Sequence, residues 1–133
     1  MNRAHLLYAD GASRGNPGPA SIGAVLYDPE GETIAEVSEA IGPSTNNVAE
    51  YRAVVAGLEA ALALGVERLR IRLDSQLLVR QLRGEYRVRA AGLQPLHRRA
   101  QDLIGRFVAI SVEHVPRSQN TAADALANAA LDS

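Results

Sequence analysis

The chain has 133 residues and a formal net charge of −1; 47% of its residues are hydrophobic and 22% charged, which is ordinary for a globular protein with one core. Cysteine is absent and only three histidines occur, which excludes disulfides and thiolate metal sites and leaves oxygen-bound Mg²⁺ or Mn²⁺ as the first metal candidates. No apolar window is long enough to span a bilayer and no signal segment opens the chain, so we expect a single cytoplasmic domain over residues 1–133 without a membrane partner.

Three strands are predicted in the first third of the chain. Residues 4–10 read as a strand that runs into a turn at Asp10-Gly11, and the following segment GASRGNPGPAS is predicted as a loop because glycine and proline punctuate it. Residues 21–28 and 32–41 read as two further strands, joined by the turn signal DPEG. Such short connections predict an antiparallel meander.

Helices alternate with strands in the rest of the chain. Helices are predicted from about Val48 to Leu64 and over residues 75–82, 93–106 and 122–131, and strands over residues 68–74 and 108–115. Helical crossovers imply parallel strands with right-handed connections. The order β-β-β-α-β-α-α-β-α therefore predicts an α/β fold with one mixed sheet packed against helices.

Four acidic residues fall at the ends of these predicted elements. Asp10 and Asp74 end two strands that can be parallel neighbours, and ligands bind at the carboxyl ends of such strands. Glu50 and Asp124 are predicted in the first turns of two helices. All four acids are therefore expected near one end of the sheet.

Each acid also has an ordinary structural explanation when it is taken alone. Asp10 could serve a turn before glycine and Asp74 could cap a helix. Asn47 with Glu50, and Thr121 with Asp124, have capping-box spacing.

Grouped carboxylates favour a metal site over these separate explanations. Crowded carboxylates repel one another unless a cation neutralises them. Four carboxylates can hold two Mg²⁺ ions roughly 4 Å apart, which clamp the attacking and leaving oxygens of a phosphoryl displacement. The four acids thus predict metal-dependent phosphoryl chemistry.

The net charge of the chain is near zero, but basic and acidic residues are concentrated in different segments. Residues 67–106 carry ten arginines against four acids, whereas residues 1–66 carry three arginines against eight acids. Every Lys or Arg position is Arg, whose planar fork binds phosphate bidentately. This basic segment is either a nucleic-acid-binding surface or a solvated helical face.

Four blocks cover nearly the whole chain; in chain order they are YADGASRGNPGPASIGAVL, TNNVAEYRAVVAGLEAAL, LDSQLLVRQLRGEY and HVPRSQNTAADALANAAL. In this order they resemble type 1 ribonuclease H, most closely its compact bacterial and archaeal-like branch. The resemblance implies a ribonuclease H-like fold whose five-stranded mixed sheet has the order 3-2-1-4-5 and is flanked by helices. It also implies an endoribonuclease that hydrolyses the RNA strand of an RNA/DNA hybrid with two Mg²⁺ or Mn²⁺ ions, leaving 5′-phosphate and 3′-hydroxyl ends.

The resemblance also implies roles for individual residues. The catalytic metal ligands are Asp10, Glu50, Asp74 and Asp124, with Asp10 bridging both ions. The substrate-binding residues are Asn16, Thr45, Asn46, Asn47 and Gln76. Amides and hydroxyls suit the shallow minor groove of a hybrid, where the 2′-hydroxyl distinguishes RNA from DNA. Asn46 and Asn47 could instead simply cap a helix.

The chain departs from many family members in its basic segment. It has no Trp and is too short there for the inserted basic helix that grips the DNA strand in those members. The arginines that could replace the insert, together with Tyr86, are Arg80, Arg83, Arg87, Arg89, Arg98 and Arg99.

A second departure concerns the loop before the last acid, which reads VPRSQN here, where other members have a histidine. Arg117 is the candidate for a catalytic or product-releasing cation in this loop, since His114 continues the alternation of the last strand. The alternative is a surface arginine that pairs loosely with Asp132 or with solvent.

Two other functions stay open beside hybrid hydrolysis. One is a related nuclease of this fold that acts on double-stranded RNA or DNA junctions, and the other is a non-catalytic hybrid-binding module. The Asn and Gln set favours the hybrid, and the presence of all four acids favours catalysis. No obligate protein partner is evident in the sequence, and a monomer is expected.

Overall fold

The computed structural model describes residues 3–132, so residues 1, 2 and 133, at the ends of the predicted domain, lie outside the described part. The strands are β1 (His5–Ser13), β2 (Gly18–Tyr27), β3 (Thr33–Ser44), β4 (Arg68–Leu73) and β5 (Ala109–His114). The helices are α1 (Asn46–Ala63), α2 (Gln76–Leu82), α3 (Gln94–Ile104) and α4 (Thr121–Asp132), and a 3₁₀ turn covers Arg117–Gln119.

The five strands form one mixed sheet in the order β3-β2-β1-β4-β5, which confirms the predicted fold class and strand order. The strands β1, β2 and β3 form an antiparallel meander. After α1, β4 pairs with β1 in parallel, and β5 pairs with β4 in parallel. The central strand β1 thus has an antiparallel neighbour on one side and a parallel neighbour on the other.

The segment predicted as a loop after Asp10 is largely sheet. In β1 and β2, Ser13 pairs with Ala20, and in β2 and β3, Gly18 pairs with Ser44. The Ser13 hydroxyl also donates a hydrogen bond to the carbonyl of Ser44 at 2.8 Å. Pairing on both sides of β2 outweighs the local preference of glycine and proline for turns, so only residues 14–17 remain outside the strands.

Helices α1 and α4 cover opposite faces of the meander. Leu7 of β1 packs against Gly57 of α1, whereas Gly23 of β2 contacts α4. Leu7 and Gly23 belong to opposite faces because side chains alternate along paired strands. Within residues 3–132, no helix combines the length and apolar character needed to cross a membrane.

Candidate active site

Two of the acids lie side by side because β1 and β4 are parallel neighbours. The register pairs Tyr8 with Arg72, and its continuation brings Asp10 next to Asp74, which directly follows β4. Asp74 does not cap α2: that role belongs to Ser75, whose hydroxyl accepts a hydrogen bond from the amide of Leu78 at 3.2 Å. The Asp74 carboxylate is therefore available for the site.

Glu50 reaches the same place from α1. The helix starts at Asn46 and Thr45 is its N-cap, with the Thr45 hydroxyl accepting from the amide of Val48 at 3.2 Å. Glu50 therefore lies in the second turn, and the predicted first-turn position and capping box with Asn47 are wrong. Gly11 allows the close approach of α1, because a Cβ at this position would lie 2.3 Å from backbone atoms of Ala49 and Glu50.

Asp124 reaches the site from the other face of the sheet. It lies in the first turn of α4, as predicted. A Cβ at Gly23 would lie 2.2 Å from the carbonyl oxygen of Ala123, so only glycine lets α4 sit this close to β2. The Asp124 carboxylate bonds with Asp10 and Asn128, and no capping box with Thr121 is present.

The structure brings all four predicted acids together. Carboxylate oxygens of Asp10, Glu50 and Asp74 lie within 4.8 Å of one another and could together hold a metal ion. Asp124 is outside this trio, but its carboxylate shares a hydrogen bond with Asp10. The resulting acidic centre combines acids from β1, α1, the end of β4 and α4.

Burial and mutual repulsion raise the pKa values of two acids in the acidic centre. Burial, followed by the charge of Asp74 and the hydrogen bond with Asp124, raises the pKa of Asp10 to about 8. Burial and the charge of Asp74 raise the pKa of Glu50 to about 7, against the opposing effects of Arg117 and Ser75. A bound cation would remove this repulsion, and the all-oxygen donor set fits a hard divalent ion.

Three neutral side chains contact the acids, and the sequence did not single out any of them. Ser75 bonds with Glu50. Asn120 donates to an Asp74 oxygen at 3.1 Å, and Asn128 donates to an Asp124 oxygen at 3.2 Å. The spacing of Asn128 four residues after Asp124 was the one available signal, since residues so spaced share a helix face.

Four of the predicted substrate-binding residues lie at the starts of α1 and α2, and the fifth, Asn16, lies in the loop between β1 and β2. Asn16 accepts a hydrogen bond from the backbone amide of Asn46 at 3.0 Å, which ties the loop before β2 to the start of α1. Asn46, Asn47 and Gln76 are exposed. Thr45 is committed to capping α1, although its hydroxyl can still donate to a ligand.

Arg117 is exposed in the 3₁₀ turn before α4, and its charge lowers the pKa of Glu50. Asp132, the partner proposed in the alternative interpretation, instead forms an ion pair with Arg14. The positive charge of Arg117 therefore acts on the Glu50 carboxylate of the acidic centre. His114 is the last residue of β5, as expected of a strand residue.

The basic segment divides into paired and unpaired arginines. Arg80 and Arg83 both pair with Glu85, and Arg99 pairs with Glu59 and Asp102. In the part of the chain that the structure describes, Arg87, Arg89 and Arg98 are exposed and have no ion pair. Tyr86 is also exposed, and the Arg80 guanidinium lies 5.3 Å from its ring centroid.

Comparison with known proteins identifies related chains over nearly the whole sequence. Residues 8–130 match the model of the family described as reverse transcriptase-like. Ribonuclease H1 of the archaeon Halobacterium salinarum is 47% identical in its crystal structure, with 98% of each chain covered and a TM-score of 0.94. The N-terminal ribonuclease H domain of Rv2228c from Mycobacterium tuberculosis is 46% identical, with 98% of this chain and 100% of that chain covered and a TM-score of 0.95.

A third similar structure is that of LC11-RNase H1 in complex with an RNA/DNA hybrid. It is 40% identical, with 96% of each chain covered and a TM-score of 0.91. The chain spans only 35% of the full bifunctional protein Rv2228c, to which it is 48% identical over 128 residues. Sequence, sheet order and these relatives agree, and the chain belongs to the type 1 ribonuclease H family.

Proposed function

We propose that this chain is an endoribonuclease that hydrolyses the RNA strand of RNA/DNA hybrids and leaves 5′-phosphate and 3′-hydroxyl ends. The observation that carries the proposal is the acidic centre, in which oxygens of Asp10, Glu50 and Asp74 lie within 4.8 Å of one another. The hybrid bound by LC11-RNase H1, 40% identical to this chain, supports the choice of substrate. We further propose that residues 1–133 form one ribonuclease H domain that acts in the cytoplasm as a monomer.

Family membership and the acidic centre together indicate the use of a divalent metal ion. We propose that two ions, Mg²⁺ or Mn²⁺, would be held by Asp10, Glu50, Asp74 and Asp124. When bound, such ions stabilise charge on the attacking and leaving oxygens of the phosphodiester.

Other residues of the chain would bind and orient the duplex. The exposed amides of Asn46, Asn47 and Gln76 border the acidic centre, where they can hydrogen-bond in the minor groove. Asn16 is hydrogen-bonded to the backbone of Asn46 and would contact the duplex beside it. Thr45 lies next to the α1 amides and can help bind a DNA-strand phosphate there.

The proposed activity is tested with three labelled duplexes, RNA/DNA, RNA/RNA and DNA/DNA, each incubated with Mg²⁺, Mn²⁺ or EDTA. We expect cleavage of the RNA strand in the hybrid with either metal and none with EDTA. Preferential cleavage of RNA/RNA or DNA/DNA would instead indicate a related nuclease. Hybrid binding without cleavage under any condition would indicate a non-catalytic module.

The unpaired arginines provide a prediction about substrate affinity. Replacing Arg87 and Arg89 with Glu should raise KM for the hybrid and flatten its salt dependence, with little change in kcat, because each lost phosphate contact removes a salt slope of roughly 0.9. Steady-state assays over a range of salt concentrations measure both effects. The variant Arg3→Glu is the control, since Arg3 lies outside residues 67–106, is ion-paired and precedes β1 at the end of the sheet opposite the acidic centre. An equal effect per charge in the control would show that hybrid affinity depends on the net charge of the protein and not on contacts of the basic segment.

Arg117 provides a prediction about turnover. Arg117→Ala should lower multiple-turnover kcat tenfold or more, roughly 1.4 kcal/mol, with a smaller effect on KM, because a cation here can stabilise charge on the phosphate. A slow single turnover would assign Arg117 to the chemical step, and a normal single turnover to product release. Arg106→Ala, which removes a distant exposed arginine, should behave like the wild type in both assays. Wild-type rates for Arg117→Ala in both assays would exclude the role.

A further inference from the structure

The acids of the acidic centre are held by neutral side chains. Among residues 3–132, no ion pair within 4.0 Å joins any of the four acids to an arginine or histidine, although nine ion pairs occur elsewhere in this part of the chain. Asp74 and Asp124 instead accept hydrogen bonds from the amides of Asn120 and Asn128. A neutral donor orients a carboxylate without cancelling the charge that attracts a cation.

Asn120 connects three of the elements that carry the acids. Its side chain is 1% exposed, and its Nδ2 donates to the carbonyl of Ala9 at 3.0 Å and to Oδ2 of Asp74 at 3.1 Å. Both amide protons are thereby used, one beside Asp10 and the other at the end of β4. The backbone carbonyl of Asn120 accepts a hydrogen bond from the backbone amide of Asp124 at 3.2 Å.

The oxygen of the Asn120 side-chain amide differs from its nitrogen in its contacts. Its Oδ1 is buried and has no hydrogen-bond partner within residues 3–132. A buried acceptor without a partner is costly, and such groups are rare in native proteins. The hydrogen bonds of this side chain within residues 3–132 are therefore those that its Nδ2 donates to Ala9 and Asp74.

Asn128 acts one helical turn beyond Asp124. Its Nδ2 donates to the Asp124 carbonyl at 3.0 Å and to Oδ1 of the same residue at 3.2 Å. Asn128 is only partly buried, so its replacement removes the orientation of Asp124 and leaves no large cavity. It therefore allows a test that the more buried Asn120 alone would not.

We propose that Asn120 and Asn128 are positioning residues that fix Asp74 and Asp124 for divalent metal binding through neutral hydrogen bonds. The inference rests on the proposed function, because it assumes that the acidic centre binds the metal. Groups that orient metal ligands typically contribute 10–100-fold to metal affinity. They do so by holding the ligand in place rather than by touching the ion.

The test makes two measurements on the full chain. Calorimetry gives the Mn²⁺ affinity, and the melting temperature in EDTA gives the stability of the metal-free protein. Asn128→Ala and Asn120→Ala should each weaken Mn²⁺ binding about tenfold or more. Excess Mn²⁺ should restore the hybrid cleavage of Asn128→Ala, since all four carboxylates remain. Ser21→Ala is the matched control. Ser21 of β2 is fully buried, and its hydroxyl donates to the backbone carbonyl of Ala127 in α4, the helix that carries Asn128, without contacting an acid of the acidic centre. It should lower the melting temperature and leave Mn²⁺ affinity unchanged.

Three outcomes would overturn the inference. Wild-type Mn²⁺ affinity in Asn128→Ala would do so even if Asn120→Ala failed to fold. An equal loss of affinity in Ser21→Ala would assign the effect to a general shift of α4. Absence of Mn²⁺ binding and hybrid cleavage in the wild type would remove the proposed function as well, whereas an active wild type with unaffected Asn variants would remove only the positioning role.

Discussion

Replacement of Asp10 with Asn is expected to abolish hydrolysis of an RNA/DNA hybrid, lowering the single-turnover rate at least about a thousandfold, or ~4 kcal/mol. The substitution keeps the shape of the side chain and removes the charge at the point where Glu50, Asp74 and Asp124 converge. Hybrid affinity should change little, because the proposed duplex contacts lie at the starts of α1 and α2. Single-turnover cleavage in Mg²⁺ and fluorescence anisotropy in Ca²⁺ measure the two quantities separately.

The matched control for this charge change is Glu39→Gln, an exposed acid on β3. It removes one negative charge without touching the acidic centre, so both rate and affinity should stay at wild-type values. Near-normal turnover of Asp10→Asn in Mg²⁺ would contradict the assignment of Asp10. A large loss of hybrid affinity in the same variant would place Asp10 in duplex binding instead.

Without metal, the protein should lose stability as the pH rises from about 5 to 8.5. The pKa of Asp10 is raised from 3.8 to about 8 and that of Glu50 from 4.5 to about 7, so the folded state holds protons that the unfolded state releases. The stabilising contribution of these protons is complete below the unfolded pKa values and is lost as the pH passes the folded ones. Glu113, whose pKa is lowered to about 2 by its bond with Arg70, affects stability only at more acidic pH. Melting temperatures in EDTA across this range measure the effect.

Divalent metal should reverse this loss. At pH 8, Mn²⁺ at one hundred times its dissociation constant should stabilise the fold by about 2.7 kcal/mol, because it binds only the folded state. Asp10→Asn should melt higher than the wild type in EDTA at pH 8, should exceed it by a smaller margin at pH 5, and should gain little from Mn²⁺. A metal-free wild type whose melting temperature does not vary between pH 5 and 8.5 would show that the acids are not strained by their crowding.

The fold was largely predictable because its strands and helices carry clear periodicities. The alternating RLRIRL of β4 places Leu69, Ile71 and Leu73 in the core, and the helical crossovers on either side require parallel pairing. The error in the segment after Asp10 arose where glycine and proline lie within paired strands. There, long-range pairing of Ser13 and Gly18 decided the structure, and local preferences do not report it.

The acidic centre was predictable as a group but not in its details. The sequence predicted Asp10 and Asp74 at strand ends and Glu50 and Asp124 in first helical turns. Asp10 instead lies within β1 and Glu50 in the second turn of α1. The roles of Asn120 and Asn128 could not be predicted in this way, since an Asn before a helix or on its surface is common for local reasons. Their contacts with Asp74 and Asp124 depend on how α4 docks against the sheet, and this becomes visible only in three dimensions.

The central position of β1 in the sheet sets the order in which the parts of the acidic centre can assemble. β1 finds its antiparallel partner β2 immediately after it in the chain, but its parallel partner β4 follows only after α1. Asp10 is synthesised before Asp124, so a nascent chain on the ribosome carries the first acid before it can meet the last. No contiguous fragment shorter than residues 10–124 contains the complete centre. The proposed action on a phosphodiester therefore requires that residues 10–124 have all been synthesised and that helices cover both faces of the sheet.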